Sequence, residues 1–281
     1  YVPVPLPGPR LPHDMAVTPG WSILNDMPLF WDEELLGRNI HAARLHEGVP
    51  TRFALIPRHG SAADIRWFEA APTYVLHWTN AWEEGDEVIL EGYHQAKPMP
   101  DPLEEMGRYS HMMAYVDEHS FQSRLHRWRF NLKTGETREE RLGDKIVEFG
   151  MINPAYAMRK SRYVWSTTTR PGWFLFNGYV RHDTQTGEEQ VYRLPEGVYA
   201  SESPMIPRKP ASSSEAVGEQ EGYLVTFLID ENTGTSQCAI LDASDVTKGP
   251  ICRLALPHKI CSGTHSVWVE HDQLRADAAF H

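Results

Sequence analysis

Apolar and β-branched residues recur in short runs along the chain, at residues 52–57, 73–81, 87–93, 125–132, 162–168, 174–183, 189–194, 222–230, 237–242 and 252–256. Turn words separate them, among them Lys133-Thr134-Gly135-Glu136, Gln185-Thr186-Gly187-Glu188 and Asn232-Thr233-Gly234. In Thr73-Tyr74-Val75-Leu76-His77-Trp78 both alternating faces carry apolar or aromatic side chains, which predicts a strand covered on two sides. Short strands at this spacing predict an antiparallel all-β domain, and the similarity of the hairpin words favours a β-propeller. At about 40–45 residues per blade the chain has room for roughly six. Helix signals are few. Residues 33–44 could form a short helix, weakened by Gly37, while residues 98–108 and 211–221 read as wet loops rich in Pro or in Ser, Glu and Gly.

Charge and composition narrow the function. The 281 residues hold 27 Lys and Arg against 38 Asp and Glu, a formal charge of −11, with no basic block to neutralise phosphates, so nucleic acid is not an expected partner. Cys238, Cys252 and Cys261 are odd in number and lack Cys-x-x-Cys spacing, which predicts a reducing, cytoplasmic setting. No apolar run approaches the roughly 20 residues of a membrane-spanning helix. The start, Tyr1-Val2-Pro3-Val4-Pro5, has neither an initiator Met nor a signal-peptide pattern, so the chain is expected to begin inside a longer protein, with residues 1–281 as one partial domain.

Candidate chemistry lies in the histidines. His13, His77 and His265 each sit in an apolar, strand-like run beside a turn: Leu11-Pro12-His13-Asp14-Met15-Ala16-Val17, Tyr74-Val75-Leu76-His77-Trp78 and Ser262-Gly263-Thr264-His265-Ser266-Val267-Trp268. Neutral imidazole ligates iron, zinc and copper through one nitrogen while the other donates a hydrogen bond. The three lie too far apart for a local motif, so a shared site needs a fold that returns repeatedly to one axis. Taken singly, each also reads as a core histidine bonded to backbone. Surface placement is the expectation for His41, His46, His59, His94, His111, His119, His126, His182, His271 and His281, and His258 is intermediate.

The words around the trio carry more. His13-Asp14-Met15-Ala16-Val17-Thr18, Arg66-Trp67-Phe68-Glu69-Ala70 leading to His77-Trp78-Thr79-Asn80-Ala81-Trp82, and Gly263-Thr264-His265-Ser266-Val267-Trp268 resemble, in order, the last three of four iron-ligand motifs of the carotenoid cleavage oxygenase family. Val147-Glu148-Phe149 with Ile152-Asn153-Pro154, and Glu202 ahead of Met205-Ile206-Pro207-Arg208, look like the same family. The resemblance runs from about residue 13 to 269.

It implies a seven-bladed β-propeller, incomplete here because the first blade region is absent, holding Fe(2+) through His13, His77 and His265, with no catalytic residue beyond the metal ligands. Glu148 and Glu202 would orient ligand imidazoles from behind, fixing the ring tautomer and raising its basicity. The family's fourth histidine and third glutamate would precede Tyr1. The implied reaction is cleavage of a conjugated carbon–carbon double bond of a carotenoid or apocarotenoid with O2, giving two carbonyl products. Leu256-Pro257-His258-Lys259-Ile260 looks like bacterial members acting on such substrates. Phe30, Trp31, Trp78, Trp173 and Phe174 are candidates for an apolar substrate tunnel, and equally for ordinary blade core. Peripheral membrane contact would serve uptake of so apolar a substrate. Alternatives are a stilbene-cleaving dioxygenase, a retinoid-type isomerohydrolase on the same scaffold, and an inactive fragment or non-catalytic propeller used as a binding platform.

Overall fold

The structure, a computed structural model, describes residues 1–40, 43–271 and 274; His41, His281 and the side chain of His111 lie outside that description. Its framework is four antiparallel units of four strands each, in chain order. The first pairs Ala16–Val17, Trp21–Asp26, Thr51–Pro57 and Arg66–Ala70. The second pairs Trp78–Glu84, Glu87–Gln95, Ser123–Asn131 and Thr137–Arg141. The third runs from Val147–Met151 through Tyr163–Thr169 and Phe176–Asp183 to Glu189–Arg193. In the fourth, an inner strand broken into Val198–Ala200 and Met205–Pro207 pairs with Gly222–Asp230, followed by Thr235–Asp242 and Pro250–Ala255. The single pair Phe176↔Ala200 joins the third and fourth units into one continuous sheet. The inner strands Ala16–Val17, Trp78–Glu84 and Val147–Met151 lie side by side.

Most of the runs read from the sequence are strands with buried side chains, although residues 73–77 precede the strand Trp78–Glu84 and the edge strands Glu189–Arg193 and Pro250–Ala255 are half-buried or exposed. Val88 and Leu90 pack with Phe53, Leu55, Phe68, Trp128 and Phe130 between the first two units. Tyr93, on the opposite face of the same strand, packs with Leu125, Val147, Val164 and Val180 towards the third. Between the third and fourth units Trp165, Tyr179, Leu224, Leu228 and Leu241 form the largest core. Each such side chain contributes about 1.5–3 kcal/mol on burial. Polar ties cross these cores: Tyr93 Oη bonds Ser166 Oγ at 2.7 Å, Tyr179 Oη donates to Thr226 Oγ1 at 2.6 Å, and Trp165 Nε1 donates to the Ala243 carbonyl at 2.9 Å.

The three resembling hairpin words are one structural device. Gly135, Gly187 and Gly234 donate their N–H groups to the carbonyls of Asn131, Asp183 and Asp230, four residues back, and each of those side chains accepts from the two N–H groups that follow inside the turn. The glycines have φ of 77°, 76° and 68°, which side-chain-bearing residues rarely adopt.

The blade number departs from expectation. The described residues form four units where length suggested six, and the four make up just over half of a seven-bladed ring. The units are long because two connections between second and third strands are enlarged. Residues 27–50 add the hairpin Leu29–Trp31/Ala43–Leu45 and the short helix Glu33–Gly37; residues 96–122 add the helices Ser110–Ala114 and Glu118–Phe121. The helix expected over 33–44 therefore ends at Gly37, and 43–45 are strand. Antiparallel pairing puts both insertions, and the connection 170–175 of the third unit, at the end where the inner strands begin.

Several histidines expected at the surface are inside. His182 is 1 % exposed beside Glu189, and His94 stacks on His126 with ring centroids 4.9 Å apart. Burial and the neighbouring His126 push His94 down to about 4. A base whose folded value lies below its unfolded value of about 6.5 favours the fold above that pH and loses its contribution as pH falls towards 4, an effect of up to about 3 kcal/mol. The melting temperature of His94→Gln is thus expected to fall less than that of the wild type between pH 6.5 and 4. Parallel curves would show that folding leaves the His94 imidazole at its unfolded value.

Candidate metal centre

The three histidines meet where inner strands begin. None lies within a strand, contrary to the sequence reading: His13 precedes Ala16–Val17, His77 immediately precedes Trp78–Glu84, and His265 follows the last strand, Pro250–Ala255. The His13 and His77 ring centroids are 5.2 Å apart at 83°, and those of His77 and His265 are 5.1 Å apart at 79°. His77 is the hub. Its side chain is 13 % exposed, whereas that of His265 is 61 % exposed and His13 is also open.

Two of the three rings, those of His77 and His265, face a carboxylate. Glu148 Oε2 lies 2.8 Å from His77 Nδ1 and also accepts the Phe149 N–H at 2.9 Å. Glu202 Oε2 accepts the Ser266 N–H at 2.7 Å and sits 3.4 Å from His265 Nδ1, while Ser266 Oγ donates to the Glu202 carbonyl. Asp14 Oδ2 accepts the Trp78 N–H at 2.9 Å, fastening the His13 segment to the His77 segment.

Irregular backbone is what aims these groups. The register between Val147–Met151 and its neighbour shifts between Glu148 and Met151, and Phe149 has φ of 52°. A non-glycine residue in the left-handed region costs about 1–2 kcal/mol. Glu202 sits in the break between Val198–Ala200 and Met205–Pro207. Phe149 thereby reaches the centre, with its ring 4.4 Å from that of His77 and 5.2 Å from that of His265.

Burial by itself pushes the His77 imidazole down, but the hydrogen bond and charge of Glu148 outweigh it and the net shift is upward. Partial burial and the His77 ring push His13 below the ordinary imidazole range. Burial raises Glu202, partly offset by the Ser266 N–H and by His265.

His77 Nε2 is buried and has no hydrogen-bond partner among the described residues. A buried imidazole normally satisfies both nitrogens, and one held at Nδ1 by a carboxylate with Nε2 free has the disposition of a metal ligand. Among the described residues no group of three or more His, Cys, Asp or Glu side chains is placed so as to hold a metal ion. The residues nonetheless fit a metal at His77 Nε2, and the open side chains of His13 and His265 have room to turn towards it.

The centre opens into a cavity of about 340 Å³ lined by His13, His77, Trp78, Phe149, Glu202 and His265. A second cavity, of about 360 Å³, shares Trp78, Gly150 and Met151 with it and is otherwise walled mainly by Val17, Ile152, Pro154 and Met158. Of the tunnel candidates, Trp78 lines the centre, and Phe174 stands one ring away, its centroid 5.5 Å from that of Phe149. Trp173 is half exposed on the 170–175 connection. Phe30 and Trp31 line a separate cavity of about 690 Å³ with Arg10, Asp32 and His46. Phe149 and Asp14 were not singled out from the sequence. Their only signal was membership of the words around Glu148 and His13.

The family described as retinal pigment epithelial membrane protein matches residues 1–270. The chain belongs to this family. A carotenoid 9,10(9′,10′)-cleavage dioxygenase of Pisum sativum is 32 % identical over 99 % of this chain and 52 % of its own length. An isoeugenol monooxygenase of Pseudomonas nitroreducens is 27 % identical over 92 % of the chain and 54 % of its own length. The cobalt-substituted apocarotenoid oxygenase of Synechocystis superposes with a TM-score of 0.79 at 21 % identity, covering 94 % of this chain and 54 % of that one. This family's fold is the β-propeller, and the chain spans about half the length of the relatives it matches.

Glu202→Gln keeps the shape of the side chain but loses the charge behind His265. A 10–100-fold weaker metal affinity is expected, read by titrating the chain with Co(II). Unchanged affinity would remove Glu202 from the role.

Proposed function

We propose that the protein is a ferrous dioxygenase that cleaves a conjugated double bond of a carotenoid or apocarotenoid with O2, giving two carbonyl products. The observation that carries this reading is His77, buried, held by Glu148 and free at Nε2, with the rings of His13 and His265 about 5 Å away. Fe(II) is the metal the reading assigns to this centre, held by His13, His77 and His265; when bound it supplies the activation of O2. The chain's own residues do the rest. Glu148 and Glu202 keep imidazole protons on the nitrogens away from the metal, so that the other nitrogens are free to donate electron pairs. Phe149, Trp78 and Phe174 exclude water and offer flat apolar faces to a polyene, whose position must be fixed by shape because it has few polar groups.

The relative named for isoeugenol supports a second reading, in which the substrate is a phenolic alkene such as a stilbene. Exposed Trp31, Met99, Met106, Tyr109, Met112 and Trp173 lie on the connections at the metal end and support peripheral contact with a membrane that stores the substrate. Among the described residues no helix is long and apolar enough to cross a membrane. Three unpaired cysteines support a cytoplasmic location.

The test is a product assay on the protein expressed with all the sequence its gene encodes, loaded with Fe(II) and given an apocarotenal, isoeugenol or a hydroxystilbene under 18O2. Labelled carbonyl products from the apocarotenal are expected. Turnover of the phenolic alkenes alone would favour the second reading, and no turnover by metal-loaded protein would point to a binding platform.

A further inference from the structure

The sequence holds no basic block, but the fold assembles one. At the metal end of the second unit, three neighbouring strands bring His94, Arg124, His126 and Arg141 together: His94 pairs with Arg124, Gly92 with His126, and His126 in turn with Arg141. Residues 124 and 126 are two apart on Ser123–Asn131 and so share a face. With Ala96 and Gln122 these four side chains line a cavity of about 300 Å³ whose walls include no carboxylate. The two imidazoles rest on the core residue Trp128, with the His126 ring 4.5 Å from the indole and His94 stacked on His126 at 4.9 Å.

The acids nearby leave this charge largely unanswered. Glu139 is committed elsewhere, its Oε1 accepting the Ala71 N–H at 2.9 Å while Oε2 stands 3.5 Å from His126 Nε2. Asp144 meets Arg141 at 2.9 Å in a pair exposed on both sides, which water and salt weaken. Arg124 has no ion pair among the described residues. Its Nη1 and Nε donate to the carbonyls of Gln122 and Asp144 at 2.9 and 3.1 Å, contacts that fix the guanidinium without neutralising it. His94, pushed down to about 4 by burial and by His126, is uncharged at neutral pH and offers a ring N–H. Two guanidinium groups with imidazole donors between them match a tetrahedral oxyanion, for which the planar Arg fork is the preferred protein partner.

We propose that this cavity binds a phosphoryl group, free or carried by a phospholipid headgroup, with Arg124 and Arg141 supplying charge and His94 and His126 supplying N–H donors. The headgroup is a candidate source because residues 96–122, the connection between the strands of His94 and Arg124, carry exposed Met99, Met106, Tyr109 and Met112. That source rests on the reading of membrane contact; the phosphoryl site does not.

Inorganic phosphate added to the metal-free 281-residue chain should move the imidazole NMR signals of His94 and His126, saturating with a Kd below about 1 mM. Arg124→Gln is expected to weaken binding about 10-fold or more through loss of a charge-assisted hydrogen bond. Arg124→Lys, which keeps the charge but not the fork, should fall between the two. Should Arg124→Gln fail to fold, Arg141→Gln, whose side chain is exposed, carries the same test. Signals that stay still at about 10 mM phosphate, or an affinity that the folded variant leaves unchanged, would overturn the proposal. Sedimentation with vesicles of phosphatidylcholine, with and without phosphatidic acid, then separates the sources. Binding that requires phosphatidic acid and is lost in Arg124→Gln assigns the site to a headgroup, and phosphate binding without either dependence assigns it to a soluble phosphate. Because no metal is present, failure of this site leaves the reading of His77 as a ligand untouched.

Discussion

His77→Ala is expected to abolish metal binding by the chain while leaving its four units folded. Of the three rings only His77 is both buried and gripped by a carboxylate at hydrogen-bond distance, so it arrives already oriented and loses little side-chain freedom when it binds. His13 and His265 are open and must be ordered, so their substitution should weaken binding less. The fold survives because His77 precedes its strand and touches the core between the third and fourth units at Phe149, on the edge that faces the cavity. Removing it leaves Glu148 Oε2 with the Phe149 N–H, and the unmade hydrogen bond costs about 1–3 kcal/mol. Titration with Co(II), together with the far-ultraviolet circular dichroism and melting curve of the same sample, checks both halves. Stoichiometric metal retained by a folded His77→Ala chain would sink the assignment of His77 as a ligand.

The parts of this molecule that were legible in the sequence are those that repeat. Strands such as Gly222–Asp230 and Phe176–Asp183 announce themselves through aromatic and aliphatic residues between turn words; the second is buried on both faces, while the first buries one face and leaves Tyr223 and Phe227 on the other exposed. The Asx-x-x-Thr-Gly tips are legible because one turn geometry demands those residues. The short strands Ala16–Val17 and Val198–Ala200 are not, since two or three residues carry no period, and Thr137–Arg141 is missed because it is polar and exposed at a sheet edge. Blade number failed because insertions at 27–50 and 96–122 are invisible to arithmetic on length. At the site, His13, His77, His265, Glu148 and Glu202 were found through the words around them and not through spacing. What the sequence hid is that these residues sit at breaks in strands, where the backbone leaves its period of two and side chains are released towards the axis. Phe149 is the clearest case: its neighbours read as strand, and only its backbone angle turns its ring towards His77.

Gly150→Ala should be the most destabilising single-methyl change near the centre. A Cβ at this position would lie 1.7 Å from Tyr93 Oη and 2.8 Å from both Tyr93 Cζ and Thr79 Cγ2. Tyr93 is fully buried and its hydroxyl is bonded to Ser166, so it cannot step aside. Overpacking of about 1–3 kcal/mol adds to a displaced hydrogen bond of about 1 kcal/mol, a total near 2–4 kcal/mol and a fall of roughly 5–15 °C in melting temperature. The site should respond as well. Gly150 ends the irregular stretch that carries Glu148 and Phe149, so a backbone pushed away from Tyr93 draws the carboxylate off His77 and weakens Co(II) binding. Tyr93→Phe removes the atom that clashes most severely. The double variant Gly150→Ala/Tyr93→Phe is therefore expected to be more stable than the sum of the two single changes by at least about 1 kcal/mol, and to recover part of the lost Co(II) affinity. Strict additivity in both stability and affinity would mean that Gly150 and Tyr93 do not share this contact, and that the bulge holding Glu148 is braced elsewhere.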